Sequence, residues 1–275
     1  MKLILNADDL GFSPIVNQTI FELYNLGRLT SASLVANMPT SQLALDEIKD
    51  HPNLSVGIHL NLTKAKPLLP AAYIPSLVRR NGNFYPAALF FPLALAGRIS
   101  QTDAESECRA QIEFALEAGL QPSHLDTHNH WHMLPRFNQL IQKLAQEYKI
   151  PNIRLTSLRR SLLPSRIWLI TAIDRDVQLR QPISPHYLLA LDDWMCISGK
   201  PCPLLYRKTL QKLLNHPDVT LELVLHPGRA YDPEFPPDTI SPKRRQWDFD
   251  FVCSPEFDSW LETLHGEIIQ SRNIL

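Results

Sequence analysis

Short apolar segments alternate with amphipathic segments from the first residues of the chain. Residues 2–7 are an apolar run typical of a buried strand, and Ser13 followed by Pro14 predicts the start of a helix. Apolar residues then recur at helical spacing as far as Gly27, the expected C-cap. This order predicts strands joined by helices.

The alternation continues to the end of the chain, with a capping box at 102–105 opening one of the helices. Repeated strand–helix units imply a parallel sheet, and six or seven of them predict an α/β, TIM-barrel-like (β/α) barrel, distorted or seven-stranded, closed or nearly closed. Further strands are predicted at 31–36, 54–60, 124–132, 152–155 and 219–225, and helices at 42–50, 102–119, from 135 onward, 204–215 and 255–272.

Two irregular, proline-rich stretches interrupt the rhythm, at 64–100 and 156–200. We interpret both as insertions over the rim of a single domain that spans residues 1–275. The most apolar stretch, AALFFPLALAG at 87–97, is too short to cross a bilayer and is expected to be a lid or packing segment.

Composition narrows the class of partner. The 27 lysines and arginines and 28 aspartates and glutamates give a net charge of −1, with no electrostatic footprint for nucleic acid or anionic lipid. The basic run at 242–245 is expected to be a solvated loop. No export signal is visible and the four cysteines form no CxxC pair, which favours a cytoplasmic protein with reduced thiols and a small, weakly charged ligand.

The segment HLDTHNHWHMLP, residues 124–135, concentrates metal-capable side chains. In an extended chain, side chains two positions apart share a face, and burying several imidazoles there without partners is costly. We therefore expect a metal site rather than core packing. The residues expected on the shared face are His124, Asp126, His128, His130 and His132.

Polar residues also end the other predicted strands, at the edge where parallel α/β folds place their sites. Each has an ordinary alternative: adjacent aspartates cap helices, and a lone histidine is often a core or turn residue. The convergence of all these residues on one rim of the fold favours a functional site over those ordinary alternatives. The residues are Asp8 and Asp9 on the first strand, His59 and Asn61 on the third, Asp126 and His128 on the fourth, and His226 on a late one.

One carboxylate with two neutral imidazoles suits zinc or another divalent ion and leaves positions open for water and substrate. We expect Asp9 to be a ligand and Asp8 a proton acceptor, because an extended chain sends adjacent side chains in different directions. His226 is a candidate proton donor to a leaving nitrogen. Asp126 is a candidate to orient a ligand imidazole, and His130 and His132 to support ligands or touch substrate.

Four ordered motifs resemble those of the YdjC-like carbohydrate deacetylases, the group that contains ChbG and the hopanoid-associated HpnK proteins. They are NADDLG at 6–11, GIHLNLT at 57–63, HLDTHNHWHMLP at 124–135 and LHPG at 225–228. The resemblance implies a TIM-barrel-like fold, a homodimer and a divalent metal, magnesium or zinc. It also implies removal of N-acetyl groups from amino sugars, either chitooligosaccharides or lipid-linked N-acetylglucosamine.

Carried over by motif position, the resemblance implies Asp9, His59 and His128 as metal ligands, Asp8 as base and His226 as acid. The sequence has NHWH where some members have HHVH, so Asn129 and Trp131 bear on substrate contacts. The residues implied to support the ligands or the substrate are Asn61, Asp126, His130 and His132.

Two other functions remain open at this point. One is a metal-dependent amidohydrolase or phosphoesterase that acts on a non-sugar substrate. The other is a catalytically idle sugar-binding homologue, against which the presence of Asp8 argues, because a pure binding site has no use for a general base.

Overall fold

The computed structural model describes residues 2–154, 187–190, 220–236, 240–263 and 267–273. The strands are β1 Lys2–Leu10, β2 Ser31–Leu34, β3 Ser55–Leu60, β4 His124–Thr127, β5 Asn152–Ile153, β6 Tyr187–Ala190, β7 Thr220–Leu225 and β8 Glu267–Ile268. The α-helices are α1 Pro14–Asn25, α2 Ser41–Ile48, α3 Ala87–Leu95, α4 Gln101–Glu117, α5 Pro135–Glu147, α6 Pro242–Val252 and α7 Pro255–Thr263.

The strands form one parallel sheet in the order β5-β4-β3-β2-β1-β7-β6, and β8 pairs with the start of β1. Every paired neighbour runs parallel, with helices in the connections, so the predicted TIM-barrel-like α/β class is confirmed. β1 is an interior strand of this order, between β2 and β7. The carboxyl ends of its neighbours therefore surround its own.

The first helix begins and ends where the sequence predicts. The side chain of Ser13 accepts a hydrogen bond from the Val16 amide, and Pro14 occupies the first turn. At the other end Gly27 adopts a left-handed φ of 69°, and the Arg28 amide donates to the Leu23 carbonyl at 2.8 Å. This is a Schellman ending, for which glycine has no Cβ penalty.

The hydrophobic core lies between the sheet and the inner faces of the helices. Val16, Ile20 and Leu23 of α1 are fully buried, and they belong to the same cluster as Leu3 and Leu5 of β1. Burying a leucine or valine of this kind stabilises the fold by about 1.5–3 kcal/mol. The core therefore fixes the strand ends that carry the polar residues.

Several predicted boundaries are wrong for identifiable reasons. The cap of α4 is Ser100, whose side chain accepts from the Asp103 amide at 3.2 Å, rather than Thr102. The basic run predicted as a solvated loop starts helix α6, because Ser241 caps it as Ser13 caps α1. The helix predicted over 255–272 is described as far as Thr263, and Glu267–Ile268 form β8 instead of continuing it.

The first predicted insertion lies wholly within the described residues, whereas the second is described only in part. Residues 64–100 contain α3 and a short 3₁₀ turn, and Phe90 of α3 packs its ring 5.9 Å from that of Phe137. The stretch 156–200 contains β6, while its other residues, like the predicted helix at 204–215, lie outside the described residues. None of the described helices is both long enough and apolar enough to span a bilayer. The single domain stays a prediction.

Candidate metal centre and active site

Asp9, His59 and His128 bring one ligand atom each to a common point at the carboxyl ends of β1, β3 and β4. Asp9 Oδ1 lies 3.7 Å from His59 Nε2 and 3.2 Å from His128 Nδ1, and all three ligand atoms lie within 4.8 Å of one another. The two imidazole rings meet edge to face, with centroids 5.5 Å apart. The structure thus brings together the three residues that the motifs indicate.

A kink in β1 directs two consecutive aspartates toward the same imidazole. Asp9 has a left-handed φ of 71°, and the pairing register of β1 with β2 shifts between Ala7 and Leu10. Asp8 Oδ2 lies 3.9 Å from His59 Nε2, close to the 3.7 Å of Asp9 Oδ1. The expectation that alternation sends these side chains in different directions is wrong, because the chain is not extended at Asp9.

The donor set fits a divalent transition ion. Ligands about 2.0–2.2 Å from a tetrahedral ion lie roughly 3.3–3.6 Å apart, near the two distances from Asp9 Oδ1. That oxygen is buried and makes no well-aligned hydrogen bond to any described residue, as expected of an atom that holds a cation. Asp8, His59 and Asp126 form a second acid–histidine group, but Arg154 already occupies both of its carboxylates.

Asp126 fixes the orientation of the His59 ring. The two residues are register partners on β3 and β4, and His59 Nδ1 lies 2.9 Å from Asp126 Oδ1. A proton on Nδ1 therefore leaves Nε2 as the atom that faces Asp9. Burial works against charge on His59, but Asp126 and Asp8 outweigh it and raise the pKa of His59 to about 9. Burial, by contrast, lowers the pKa of His128.

Arg154, directly after β5, joins three buried carboxylates. Its Nη1 and Nη2 donate to the two oxygens of Asp8 at 2.8 and 2.9 Å, and Nη1 lies 2.5 Å from Asp126 Oδ2. Nε and Nη2 donate to Glu222 Oε1 at 2.9 and 2.6 Å. Burial opposes ionisation of Asp8, but Arg154 outweighs it and lowers the pKa of Asp8.

Arg245 of α6 reaches the other oxygen of Asp9. Its Nη2 donates to Asp9 Oδ2, and its guanidinium lies 4.8 Å from the centre of the Phe235 ring. Burial opposes ionisation of Asp9, but Arg245 and His128 outweigh it and hold the pKa of Asp9 well below its usual value. Gly228 of the LHPG motif allows this packing, because a Cβ there would lie 2.9 Å from that of Arg245.

His226, directly after β7, approaches the site from the side opposite His59. Its Nε2 lies 3.9 Å from Asp8 Oδ2, the same distance as that between His59 Nε2 and this oxygen. Its backbone amide donates to Asp248 Oδ2 of α6 at 2.7 Å, which anchors the turn. His226 is partly accessible, with 11% of its side chain exposed.

The histidine segment is not extended beyond Thr127, so the expected single face is wrong after that point. Residues His128–Met133 form a 3₁₀ turn in which Asn129 and His130 have left-handed φ values of 59° and 52°. His130 and His132 therefore leave the row and stack edge to face with centroids 5.9 Å apart. His132 is fully buried, shares a hydrogen bond with Thr127 and has a pKa well below its usual value because of burial.

Asn129, Trp131 and Asn61 organise the backbone around the ligands. Trp131 is buried and donates from Nε1 to the Leu60 carbonyl at 3.2 Å, which ties the 3₁₀ turn to β3. Asn129 donates to the Thr63 hydroxyl at 3.0 Å. Asn61 accepts from the Thr63 amide at 3.0 Å, so its amide group holds the turn after β3 rather than facing the three ligand atoms.

His124 lies below the ligands, at the start of β4. Its two ring nitrogens lie 3.0 Å from the Ser33 hydroxyl and 2.9 Å from the Ser123 hydroxyl. Ser33 also donates to Asp126 Oδ2 at 2.9 Å, so it links His124 to the carboxylate that orients His59. Burial lowers the pKa of His124 to about 4, and the neutral ring fills the space left by Gly57.

Arg154, Glu222 and Arg245 are functional candidates that the sequence prediction missed. Arg154 and Glu222 sit in otherwise apolar strands, NIRL and LELVL, and a charge in a buried strand must be paired. The sequence therefore contained enough information to identify Arg154 and Glu222. For Arg245, the Ser241–Pro242 pair predicts the start of a helix, but nothing in the sequence distinguishes Arg245 from Arg244.

Comparison with known proteins agrees with this geometry. The sequence profile of a family described as YdjC-like protein matches residues 2–263. A carbohydrate deacetylase of Geobacillus stearothermophilus is 41% identical over 162 residues, which are 59% of this chain and 63% of that protein. One of Halalkalibacterium halodurans is 36% identical over 168 residues, 61% of this chain and 69% of that protein. The chain thus spans less than two thirds of the length of the first relative, and 58% and 59% of the lengths of two further carbohydrate deacetylases.

One solved structure has the same fold over almost the whole length of both chains. It is a crystal structure from Enterococcus faecalis V583, provisionally described as a cellobiose-phosphate cleavage protein. The TM-score is 0.81 at 23% identity, and the superposition covers 99% of this chain and 98% of the other. At this identity the likeness concerns the fold.

Proposed function

The chain belongs to the YdjC-like protein family, and on that premise we propose that it is a metal-dependent hydrolase that removes N-acetyl groups from amino sugars. The observation that carries the proposal is the convergence of Asp9 Oδ1, His59 Nε2 and His128 Nδ1 within 4.8 Å of one another. The names of the similar carbohydrate deacetylases support the substrate class.

Asp9, His59 and His128 would hold the metal, magnesium or zinc. The nitrogen donors and the spacing favour zinc, since magnesium prefers oxygen ligands. A divalent ion there supplies a positive charge that acidifies water and polarises a carbonyl group. The chain prepares the ligands in advance: Asp126 orients His59, and Arg245 fixes the unused oxygen of Asp9.

Asp8 is the proposed proton acceptor for the attacking water. Arg154 binds both of its oxygens, so the carboxylate cannot rotate, and Asn6 donates a further hydrogen bond to Oδ1 at 2.8 Å, which leaves Oδ2 as the oxygen with a second lone pair. Oδ2 lies 3.9 Å from both His59 Nε2 and His226 Nε2, and this position between a proposed metal ligand and the candidate acid supports its role as acceptor. Asp8 in this position takes the proton where the water attacks.

His226 is the proposed proton donor to the leaving nitrogen. Its Nε2 lies 3.9 Å from Asp8 Oδ2, and a proton donor must reach the leaving nitrogen from such a position beside the acceptor. The hydrogen bond from its amide to Asp248 holds the residue at the end of β7. A protonated imidazole there gives its proton to the amine as the carbon–nitrogen bond breaks.

The wider setting of the enzyme follows the same proposal. The substrate would be a chitooligosaccharide-like or lipid-linked N-acetylated amino sugar, and no nucleic acid partner is expected. We also propose a cytoplasmic protein that forms a homodimer, as the family resemblance implies. His130, His132 and Asn61 would support the ligands through the backbone rather than bind the metal.

Acetate release from N-acetylglucosamine oligomers by metal-loaded protein tests the proposal. Asp8→Asn should keep its metal but lose activity by about 10²–10⁴-fold, because an amide cannot accept the proton while all three proposed metal ligands remain. His128→Ala should lose both metal and activity. Elemental analysis of the same samples separates the two effects.

The outcomes distinguish the alternatives. Acetate release that depends on Asp8 supports the deacetylase. No acetate from a folded, metal-loaded sample contradicts it, and hydrolysis of a non-sugar amide or a phosphate ester would then indicate the amidohydrolase or phosphoesterase. Sugar binding without any hydrolysis would indicate an idle binding homologue.

A further inference from the structure

Positive charge is concentrated in one part of the chain although the whole is nearly neutral. Residues 51–102 include five lysines and arginines and no aspartate or glutamate, whereas the net charge of the chain is −1. Lys66, Arg79, Arg80 and Arg98 of this stretch are exposed, and none of them forms an ion pair with a described residue. Among the described residues, these cations of the insertion therefore have no acidic partner in an ion pair.

Helix α3, inside the same insertion, exposes an entirely apolar face. At about 100° per residue the exposed positions cover roughly a third of its circumference. Leu89 and Leu95 are 50% and 54% exposed, while Phe90 points inward and is fully buried. The exposed residues of this face are Ala88, Leu89, Pro92, Leu95 and Ala96.

The cations flank this helix on both sides in the chain. Arg79 and Arg80 lie at the tip of a short hairpin, closed by the Arg79 amide donating to the Asn83 carbonyl at 2.8 Å. Arg98 follows the helix, and Arg136 reaches within 4.0 Å of a Cβ placed at Gly97. Tyr73, in the 3₁₀ turn of the insertion, is 74% exposed. Apolar and cationic groups thus share one exposed segment.

We propose that residues 64–100 dock on the surface of an anionic lipid bilayer. The apolar face of α3 would lie at the boundary between headgroups and acyl chains, and the flanking cations would contact lipid phosphates. A helix of nine residues can lie in this interface but cannot cross the membrane. The charge complementarity identifies the lipid, because an apolar protein partner would not require the cations.

A second copy of the chain is a poorer occupant of this surface. In a two-fold interface the same patch faces itself, so the uncompensated arginines of both copies would be brought together. Like charges in that position are repulsive, whereas an anionic bilayer attracts them. An anionic bilayer is therefore the better occupant of this surface.

The docking surface is connected to the candidate site. Lys64, at the start of the insertion, places its ammonium group 5.8 Å from the centre of the Phe12 ring, which lies 5.3 Å from the ring of His128. Docking would hold the site near sugars carried by lipids. It does not depend on the proposed deacetylation and is measured without turnover.

Vesicle flotation of the full chain tests the docking. The probes are vesicles of phosphatidylcholine with phosphatidylglycerol, and vesicles of phosphatidylcholine alone, at low and at high salt. Wild-type protein should bind the anionic vesicles at least about tenfold more strongly, since each cation near such a surface contributes about fivefold. High salt should remove most of the difference.

Two variants and two matched controls locate the surface. Leu89→Ser with Leu95→Ser should weaken binding by more than about tenfold, and Arg79→Gln, Arg80→Gln and Arg98→Gln together by a similar factor. The controls are Leu43→Ser, at a leucine of α2 that is 61% exposed, and Lys243→Gln, at an exposed lysine of α6. Both controls should bind as wild type does, and thermal unfolding checks that every variant is folded.

The proposal would be overturned if the wild-type protein did not bind anionic vesicles, or if it bound both vesicle types equally. Binding that is unchanged in the two insertion variants would also overturn it. Self-association that is abolished by the leucine substitutions, without vesicle binding, would assign the apolar face to a second copy and contradict docking on lipid.

Discussion

Arg154 holds the carboxylate of Asp8 in a two-point ion pair, with Nη1 2.8 Å from Oδ2 and Nη2 2.9 Å from Oδ1. The same guanidinium contacts Asp126 and Glu222, so one buried cation pairs with three buried carboxyl groups. This arrangement fixes the direction of the proposed proton acceptor. It also makes the site depend on a residue that binds no metal.

Arg154→Met should lower the free energy of unfolding by about 3–5 kcal/mol, because it leaves buried carboxylates uncompensated. Denaturant unfolding measures the change. Arg109→Met is the matched control, since Arg109 also pairs with two carboxylates, Glu105 and Glu147, but at the surface. There the loss should be at most about 1 kcal/mol. Equal losses at both positions would contradict the role of Arg154.

Arg154→Lys keeps the charge but not the two-point geometry. Activity should fall by about tenfold or more through kcat, while metal content is unchanged, because Asp8 becomes free to rotate. Steady-state kinetics with elemental analysis measures both quantities. A variant with wild-type kcat would show that the two-point ion pair with Arg154 is not needed to position Asp8.

Metal binding at neutral pH should release about one proton from His59. The pKa of His59 is raised to about 9 in the metal-free site, so the imidazole carries a proton that a metal ligand must lose. Apparent metal affinity should therefore fall about tenfold per pH unit below about 9. Titration calorimetry in buffers of different ionisation enthalpy counts the proton, and the count should approach zero above pH 9. No release at neutral pH would contradict the assignment.

Arg245→Gln should weaken metal binding by about 10–100-fold, because Asp9 loses the partner that fixes its second oxygen. Competition with a chelating dye gives the affinity. Arg244→Gln is the control on the same helix, since Arg244 is not among the described partners of Asp9. Equal effects of the two substitutions would show that the contact with Asp9 does not matter.

Gly57→Ala should destabilise the fold by about 1–3 kcal/mol, because the new Cβ would lie 2.4 Å from the ring of His124. In the His124→Ala background the ring is absent, so the same substitution should cost much less. A double-mutant cycle by denaturant unfolding measures this coupling. Additive effects would show that the clash is relieved elsewhere.

The strand ends and the residues on them could be predicted because buried parallel strands are apolar runs and sites lie at their carboxyl ends. Asp9, His59 and His128 stood out as polar residues where apolar runs stop. The paths of the chain after those ends could not be predicted, because the left-handed φ values of Asp9 and His130 have no sequence signal strong enough to override an extended pattern. The predicted strand at 124–132 is therefore too long, because β4 ends at Thr127.

Arg154 and Arg245 were not predicted as site residues for a different reason. Arg154 lies 146 residues from Asp8 and Arg245 lies 236 residues from Asp9, and a single sequence does not report such pairings. The surface charge of residues 64–100 was hidden in the same way, because the total over the chain is close to zero. For a surface of this kind, the local distribution of charged residues matters more than the net charge of the whole chain.

The most direct test is the position of the metal in crystals of the zinc-loaded protein, located by anomalous scattering at the zinc edge. The account predicts one peak about 2.0–2.2 Å from Asp9 Oδ1, His59 Nε2 and His128 Nδ1. A peak bound instead by His130 and His132, or by Asp8 with Asp126, would contradict it.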